Sequence, residues 1–425
     1  MQSSTGRWVS GNNFFDRRAE LKALETLVCD GNHLLLTGQR RMGKTSVAQE
    51  LGRQLMTRNP EWVFLFVDIE DATCAEDVIA DIAKAAHPVR GILSNLMANM
   101  GRWIGNNFEE VSAGDLGVKI RAGLNPGTWR RNGEALLRDC AAYDKPVLLV
   151  IDELPVFLNR MLRDDGDIQR VDEFLSWLRK GVQDLQGDDR SSGGPSLVLM
   201  VSGSIGLAPL VGRLGIPDRI NHLHTFRLAP WTRDVSVECF EHLADSYDLS
   251  IEKGVATAVY EKLGIGVPHQ VQSFFARLQS FAIMHDRETL RVDDVEEVYR
   301  TELLGPSGQN DLAHYETRLK DGLDEESYPV AMEIIAEAAI QEVFTANARR
   351  CLERLYASVV HDAPGCVANS LNVLEHDGYL EKVGDSGYRC PSRLLKDWWA
   401  ARFQGHHVPI ADRLSAAGEQ GDSRG

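Results

Sequence analysis

Gly38-Gln39-Arg40-Arg41-Met42-Gly43-Lys44-Thr45 follows the apolar run Leu34-Leu-Leu36 and precedes a helical pattern from Thr45 to Met56. The spacing G-x-x-x-x-G-K-[ST] between a strand and a helix is that of a loop that binds phosphate through its backbone. The glycines let the chain turn its N–H groups toward phosphate oxygens, and the start of the next helix adds partial positive charge. Lys44 is placed to reach the β- and γ-phosphates, and Thr45 offers a hydroxyl to magnesium. The expected nucleotide-binding set therefore runs from Gly38 through Ser46, with ATP and Mg2+ as cofactors.

Such a loop needs carboxylates, and Val147-Leu-Leu-Val-Ile151 supplies them by ending in Asp152-Glu153. Asp152 is the expected metal ligand. Glu153 is placed to orient and deprotonate an attacking water, the division of labour that phosphoryl transfer requires. A further strand, Leu197 to Val201, exits through Ser202-Gly203-Ser204. Ligands of open α/β sheets bind at strand carboxyl ends, so Ser204 or Ser202 is a candidate contact for the γ-phosphate. Equally, these hydroxyls can simply satisfy the local backbone. Asp68 and Glu70 also end a strand and are read as structural.

Working outward, short apolar runs alternate with longer helical stretches from Leu34 to Arg227, the pattern of βαβ units around a parallel sheet buried on both faces. Candidate strands are His33 to Thr37, Val63 to Ile69, Val147 to Ile151, Leu197 to Ser202 and Thr225 to Leu228. The fold class is α/β, with a parallel five-stranded sheet. After Pro230 the strand signal stops. Ser236 to Tyr247, Glu252 to Leu263, His269 to His285 and Val292 to Leu304 carry helical spacing. From Tyr328 three helical patterns precede Tyr379 to Val383, a Gly384-Asp-Ser-Gly387 turn and Tyr388 to Cys390, the order of a winged helix. The expected divisions are an N-terminal segment 1–13, an α/β core 14–230, a helical lid 231–305, a linker 306–327, a winged-helix domain 328–404 and a mobile tail 405–425.

The 425 residues, 43% hydrophobic and 25% charged, have room for such a multi-part globular chain. No apolar run approaches the roughly 20 residues that span a bilayer, so no membrane association is expected. Seven cysteines without C-x-x-C pairing fit reduced thiols and a cytoplasmic location. A formal charge of −16 argues against condensation of the whole surface on nucleic acid.

With these motifs in this order, the sequence resembles the STAND class of AAA+-related ATPases, and within it the archaeal-type ATPase group. The resemblance covers about Phe14 to Phe403. Phe14-Phe15-Asp16-Arg17-Arg-Ala-Glu20-Leu21 looks like the family's entry box, with Asp16 where the family carries glycine. By that likeness Phe15 and Arg17 lie against the adenine. Gly266-Val267-Pro268 resembles the G-x-P motif by which the lid reaches the nucleotide, and His269 follows it. Arg219 stands where relatives carry an arginine near the nucleotide, acting in cis or as a finger from a neighbour. The lid has no evident sensor arginine, Arg277 being a weak substitute.

Nucleic acid is conceivable but not favoured as a partner. Cys366 to Gly378, the helix that would enter a major groove, has no Lys or Arg and carries Glu375 and Asp377. Trp129 among Lys119, Arg121, Arg130 and Arg131 forms a basic-aromatic segment that suits base stacking or, more often, a half-buried helix or strand face. Trp398 and Trp399 read as core anchors. The functional expectation is a hydrolysing ATP switch that controls an unidentified protein partner, with nucleotide-dependent homo-oligomers as an option. The alternatives are a DNA-associated AAA+-type ATPase and a scaffold that holds ATP without turnover.

Overall fold

Val147-Leu-Leu-Val-Ile-Asp152 is buried along its entire length. A strand without a wet face belongs in a parallel sheet covered on both sides, and that is where it lies. In the computed structural model, which describes residues 1–4, 6–89, 91–104, 112–185, 195–203 and 206–413, the five strands are β1 (Leu34–Thr37), β2 (Val63–Asp68), β3 (Val147–Asp152), β4 (Leu197–Ser202) and β5 (His224–Arg227). All pairings are parallel, in the order β2-β3-β4-β1-β5. The expected strands are present, with ends shifted by a residue. β1 lies inside the sheet, between β4 and β5, and its last residue, Thr37, is at the carboxyl edge of the strands.

The chain gathers into two units. One comprises residues 8–37 and 44–228, the other residues 1–7, 38–43 and 229–425. The first unit contains the sheet and nine α-helices among its described residues: α1 (Arg18–Cys29), α2 (Lys44–Arg58), α3 (Ala75–Ala86), α4 (Ser94–Ile104), α5 (Ala113–Gly123), α6 (Trp129–Ala142), α7 (Leu154–Asp165), α8 (Ile168–Gln183) and α9 (Leu207–Arg213). Its core runs from the β2–β4 strands into an aromatic cluster of Trp129, Phe157, Phe174 and Trp177, with ring centroids 5.0–6.3 Å apart. Trp129 is thus interior. Arg130 lies over its ring and pairs with Glu173 at 2.6 Å, and Arg121 pairs with Asp77. The basic-aromatic segment is a half-buried helix face and offers no stacking platform for bases.

The second unit continues through α10 (Arg233–Ser246), α11 (Val255–Leu263), α12 (Pro268–Met284), α13 (Val292–Val298), α14 (Pro306–Gly322), α15 (Ser327–Ile340), α16 (Ala346–Tyr356), α17 (Ala363–His376) and α18 (Arg393–Phe403). Two parallel two-residue strands, β6 (Ser250–Ile251) and β7 (Thr289–Leu290), pair where no strand was expected. The antiparallel hairpin β8 (Glu381–Val383) and β9 (Gly387–Arg389) follows α17. Trp398 and Trp399 are both buried, as core anchors should be.

Two expectations are corrected. The linker 306–327 is in fact mostly α14, 17 residues long, beginning with Pro306 in its first turn and burying Leu312, Tyr315 and Leu319. Proline at the first helical position starts a helix because its missing N–H has no partner to lose there. Residues 405–413, assigned to a mobile tail, pack on α15. His407 Nε2 lies 2.6 Å from Glu337, whose carboxylate also accepts from Ile410 N at 3.1 Å, and Arg413 forks onto Glu333 at 3.0 and 2.8 Å.

Candidate nucleotide site

The loop between β1 and α2 is built from backbone freedom. Gly38 and Gly43 have φ of 149° and 85°, and Arg41 is left-handed at 65°. Only glycine adopts the first two without strain, so both glycines of the motif are conformational requirements. α2 starts at Lys44, leaving the amides of its first turn without intrahelical partners, as an anion site requires. Lys44 is buried at the helix start. Ser46 Oγ accepts from Val9 N at 3.1 Å, so the N-terminal segment packs against this turn.

Within the sheet unit, β3 delivers Asp152 to the foot of α2. Thr45 Oγ1 donates to Asp152 Oδ2 at 2.6 Å, Ser202 Oγ donates to Oδ1, and Glu153 N donates to Oδ1 at 3.0 Å. Asp152 and Ser202 are almost wholly buried, at 2% and 1% exposure. A buried carboxylate is tolerated when its lone pairs are filled in this way. Glu153 turns the chain out of the strand in a left-handed conformation, φ 60° and ψ 27°, capping α7. Asp68 aligns with Asp152 across β2 and β3; burial, and to a lesser degree the charge of Asp152, raises its carboxyl above the usual range.

Residues 38–43 belong to the second unit and have their partners within it. Gln39 Nε2 donates to the carbonyl of Gly378 at 2.5 Å. Arg41 reaches His269 Nδ1 at 3.4 Å and Asp311 at 3.6 Å and lies 5.9 Å from the Tyr315 ring centroid. Arg277 holds the same Asp311 at 3.1 Å and so braces α14. Arg40 is half-buried, and its guanidinium is pushed below its ordinary pKa by desolvation, then by the charges of Arg318 and Arg41. Three arginines thus concentrate positive charge at the loop, an environment that favours an anion. Asp311, Tyr315 and Arg318 were invisible in the sequence reading because they lie in the supposed linker. Pro306 and the spacing of Leu312, Tyr315 and Leu319 were the available signals.

The remaining sequence candidates fall out as follows. Pro268 and His269 open α12, and Gly266 pairs with Trp231 where a Cβ would come within 2.2 Å of the Trp231 carbonyl. Asp16 and Arg17 are both left-handed, at 59° and 63°, and Arg17 is buried with Glu20 at 2.7 Å; Phe15 immediately precedes this turn. Arg219 is not brought to Asp152 within the chain. Its guanidinium holds Asp172 at 2.6 Å and Asp218 at 2.7 Å, in a turn preceding the amino end of β5, the sheet edge opposite Asp152. Ser204 lies outside the described residues.

Residues 30–205 match the family model described as an AAA domain. A Walker-type ATPase of Pyrococcus abyssi superposes with a TM-score of 0.57 at 14% identity, covering 94% of this chain and 99% of that one. The fold is that of a P-loop NTPase. The ORC2 protein of Aeropyrum pernix, solved as ADPNP and ADP complexes, is also similar, with a TM-score of 0.53, 14% identity and coverage of 93% and 98%. No curated protein matches the sequence. In this NTPase fold the oxygen donors of Thr45 and Asp152, already in hydrogen-bond contact, fit a small hard cation, which takes a few protein oxygens and completes its shell with water and phosphate.

Proposed function

We propose that the chain is an ATP-hydrolysing molecular switch of the STAND/AAA+ type, in which nucleotide at the phosphate loop is coupled to the C-terminal helices. The observation that carries this reading is the set of contacts from two loop side chains, Gln39 to Gly378 and Arg41 to Asp311, His269 and Tyr315. A loop that only bound ATP would need no such ties.

The loop amides and Lys44 bind the phosphates, while Thr45 and Asp152 hold Mg2+. When bound there, Mg2+ would supply neutralisation of the phosphate charge. Ser202 keeps the Asp152 carboxylate oriented. Glu153 accepts the proton of the attacking water at its carboxylate. Phe15 and Arg17 face the base, and Pro268 and His269 bring the lid to Arg41. The order of α15, α16, α17 and the β8–β9 hairpin supports a winged-helix reading of the C-terminal module, which acts on a protein partner. DNA is the runner-up, and exposed Arg350 and Arg354 on α16 are what favour it.

ATP turnover by wild type, Lys44→Ala and Glu153→Gln, each with and without duplex or single-stranded DNA, tests these assignments. Lys44→Ala should lose nucleotide binding, and Glu153→Gln should bind ATP but hydrolyse it about 10²-fold or more slowly. Equal turnover by wild type and Glu153→Gln would remove Glu153 as the base. Stimulation by DNA, with binding that weakens steeply with salt, would replace the protein-partner reading with the DNA one. Retained ATP without turnover would leave only a scaffold.

A further inference from the structure

Glu153 occupies a left-handed conformation that side-chain-bearing residues keep only when their surroundings hold them there. What holds it is visible on both sides. Upstream, Asp152 is fixed by Thr45, Ser202 and the Glu153 amide. Downstream, Pro155 is the second residue of α7, and its ring packs on Gly203, the first residue beyond β4. A Cβ added at Gly203 would lie 2.4 Å from Pro155 Cδ and 2.8 Å from Cγ, closer than real Cβ atoms approach anything.

A proline ring cannot swing aside as a long side chain would, because it is closed onto its own backbone. Any atom added at Gly203 therefore pushes on residues 153–155. With Asp152 anchored, that displacement falls on Glu153. We propose that Gly203 is a positioning residue for hydrolysis: its bare backbone seats Pro155 and so aims the Glu153 carboxylate at the attacking water. The inference rests on the reading of Glu153 as the base. It gives the Ser202-Gly203-Ser204 exit a role in its middle residue, one that no hydroxyl supplies.

The test compares wild type, Gly203→Ala, Pro155→Ala and the double variant in kcat, KM for ATP, ADP affinity and Tm. Gly203→Ala should lower kcat at least about 10-fold, since a 1 Å misplacement can cost about 10²-fold, with KM and ADP affinity unchanged within about twofold. Adding Pro155→Ala should restore most of the lost kcat and of the lost Tm, the non-additivity expected of residues in contact. In a Glu153→Gln background, Gly203→Ala should cost nothing further. Wild-type kcat in Gly203→Ala, a loss that Pro155→Ala does not recover, or an equal further loss beside Glu153→Gln would each overturn the proposal. Should Gly203→Ala alone fail to fold, the double variant must match Pro155→Ala in kcat. A wild-type chain that binds ATP without turnover sinks the hydrolytic reading and this proposal with it, even if the Tm cycle shows the contact. Normal wild-type turnover with an unaffected Gly203→Ala sinks the proposal alone.

Discussion

Single side chains set the geometry of the candidate site and the acid tolerance of the sheet. Three donors and the buried sheet end hold the Asp152 carboxylate in one place, and Glu153 leaves the strand in a direction the strand itself would not take. At the opposite end of the sheet, His33 is buried with Nδ1 accepting from Leu199 N at 3.0 Å, and His222 meets it edge-on at 6.1 Å. Burial pushes His33 down to about 4, and burial followed by the charges of His33 and Arg179 pushes His222 down to about 4. Above an ordinary histidine value near 6.5, folded and unfolded chains both carry neutral rings. As pH falls from there toward 4 the unfolded chain takes up protons that the folded one refuses, so stability falls. Tm should drop between pH 7.5 and pH 5, and His222→Phe should flatten that slope. A wild-type Tm equal at both pH values would contradict the assignment.

At the scale of elements, the sheet was legible because runs such as Val147 to Ile151 have no polar alternative, and the phosphate loop because strand, glycine spacing and helix coincide. The helix α14 was not legible. Gly305-Pro-Ser-Gly308 reads as loop punctuation, yet a Cβ at Gly305 or Gly308 would come within 1.9 Å of the Thr301 or Leu303 carbonyl. These glycines permit close stacking on the π-helical turn at Tyr299–Leu303, a tertiary demand that no local pattern announces. The segment 405–413 misled for a related reason: its polarity is spent on Glu337 and Glu333, which let Ile410 be buried. Of the candidate site, the loop and Asp152-Glu153 were readable, whereas Gln39 with Gly378 and Arg41 with Asp311 join distant segments. If α14 is the packed element described, Leu319→Ala should cost about 2–5 kcal/mol in denaturant unfolding. A change below about 0.5 kcal/mol, the range of exposed positions, would show that the helix is not anchored there.

For the whole molecule, the central claim is that nucleotide at Gly38–Thr45 is felt by the C-terminal helices. Gly378 marks the contact: it is left-handed at φ 76°, and a Cβ there would overlap the Gln39 side chain at 1.9 Å. The position therefore admits little other than glycine while Gln39 is docked. Among the described residues no helix is long and apolar enough to cross a membrane. The most direct measurement is amide hydrogen exchange at Gly378, Tyr379 and Leu380, with and without saturating ATP and Mg2+, in wild type and Gln39→Ala. The account predicts that ATP changes exchange at these amides in wild type and leaves it unchanged in Gln39→Ala, although both bind ATP. Bound ATP with identical exchange there in the wild-type chain would contradict it.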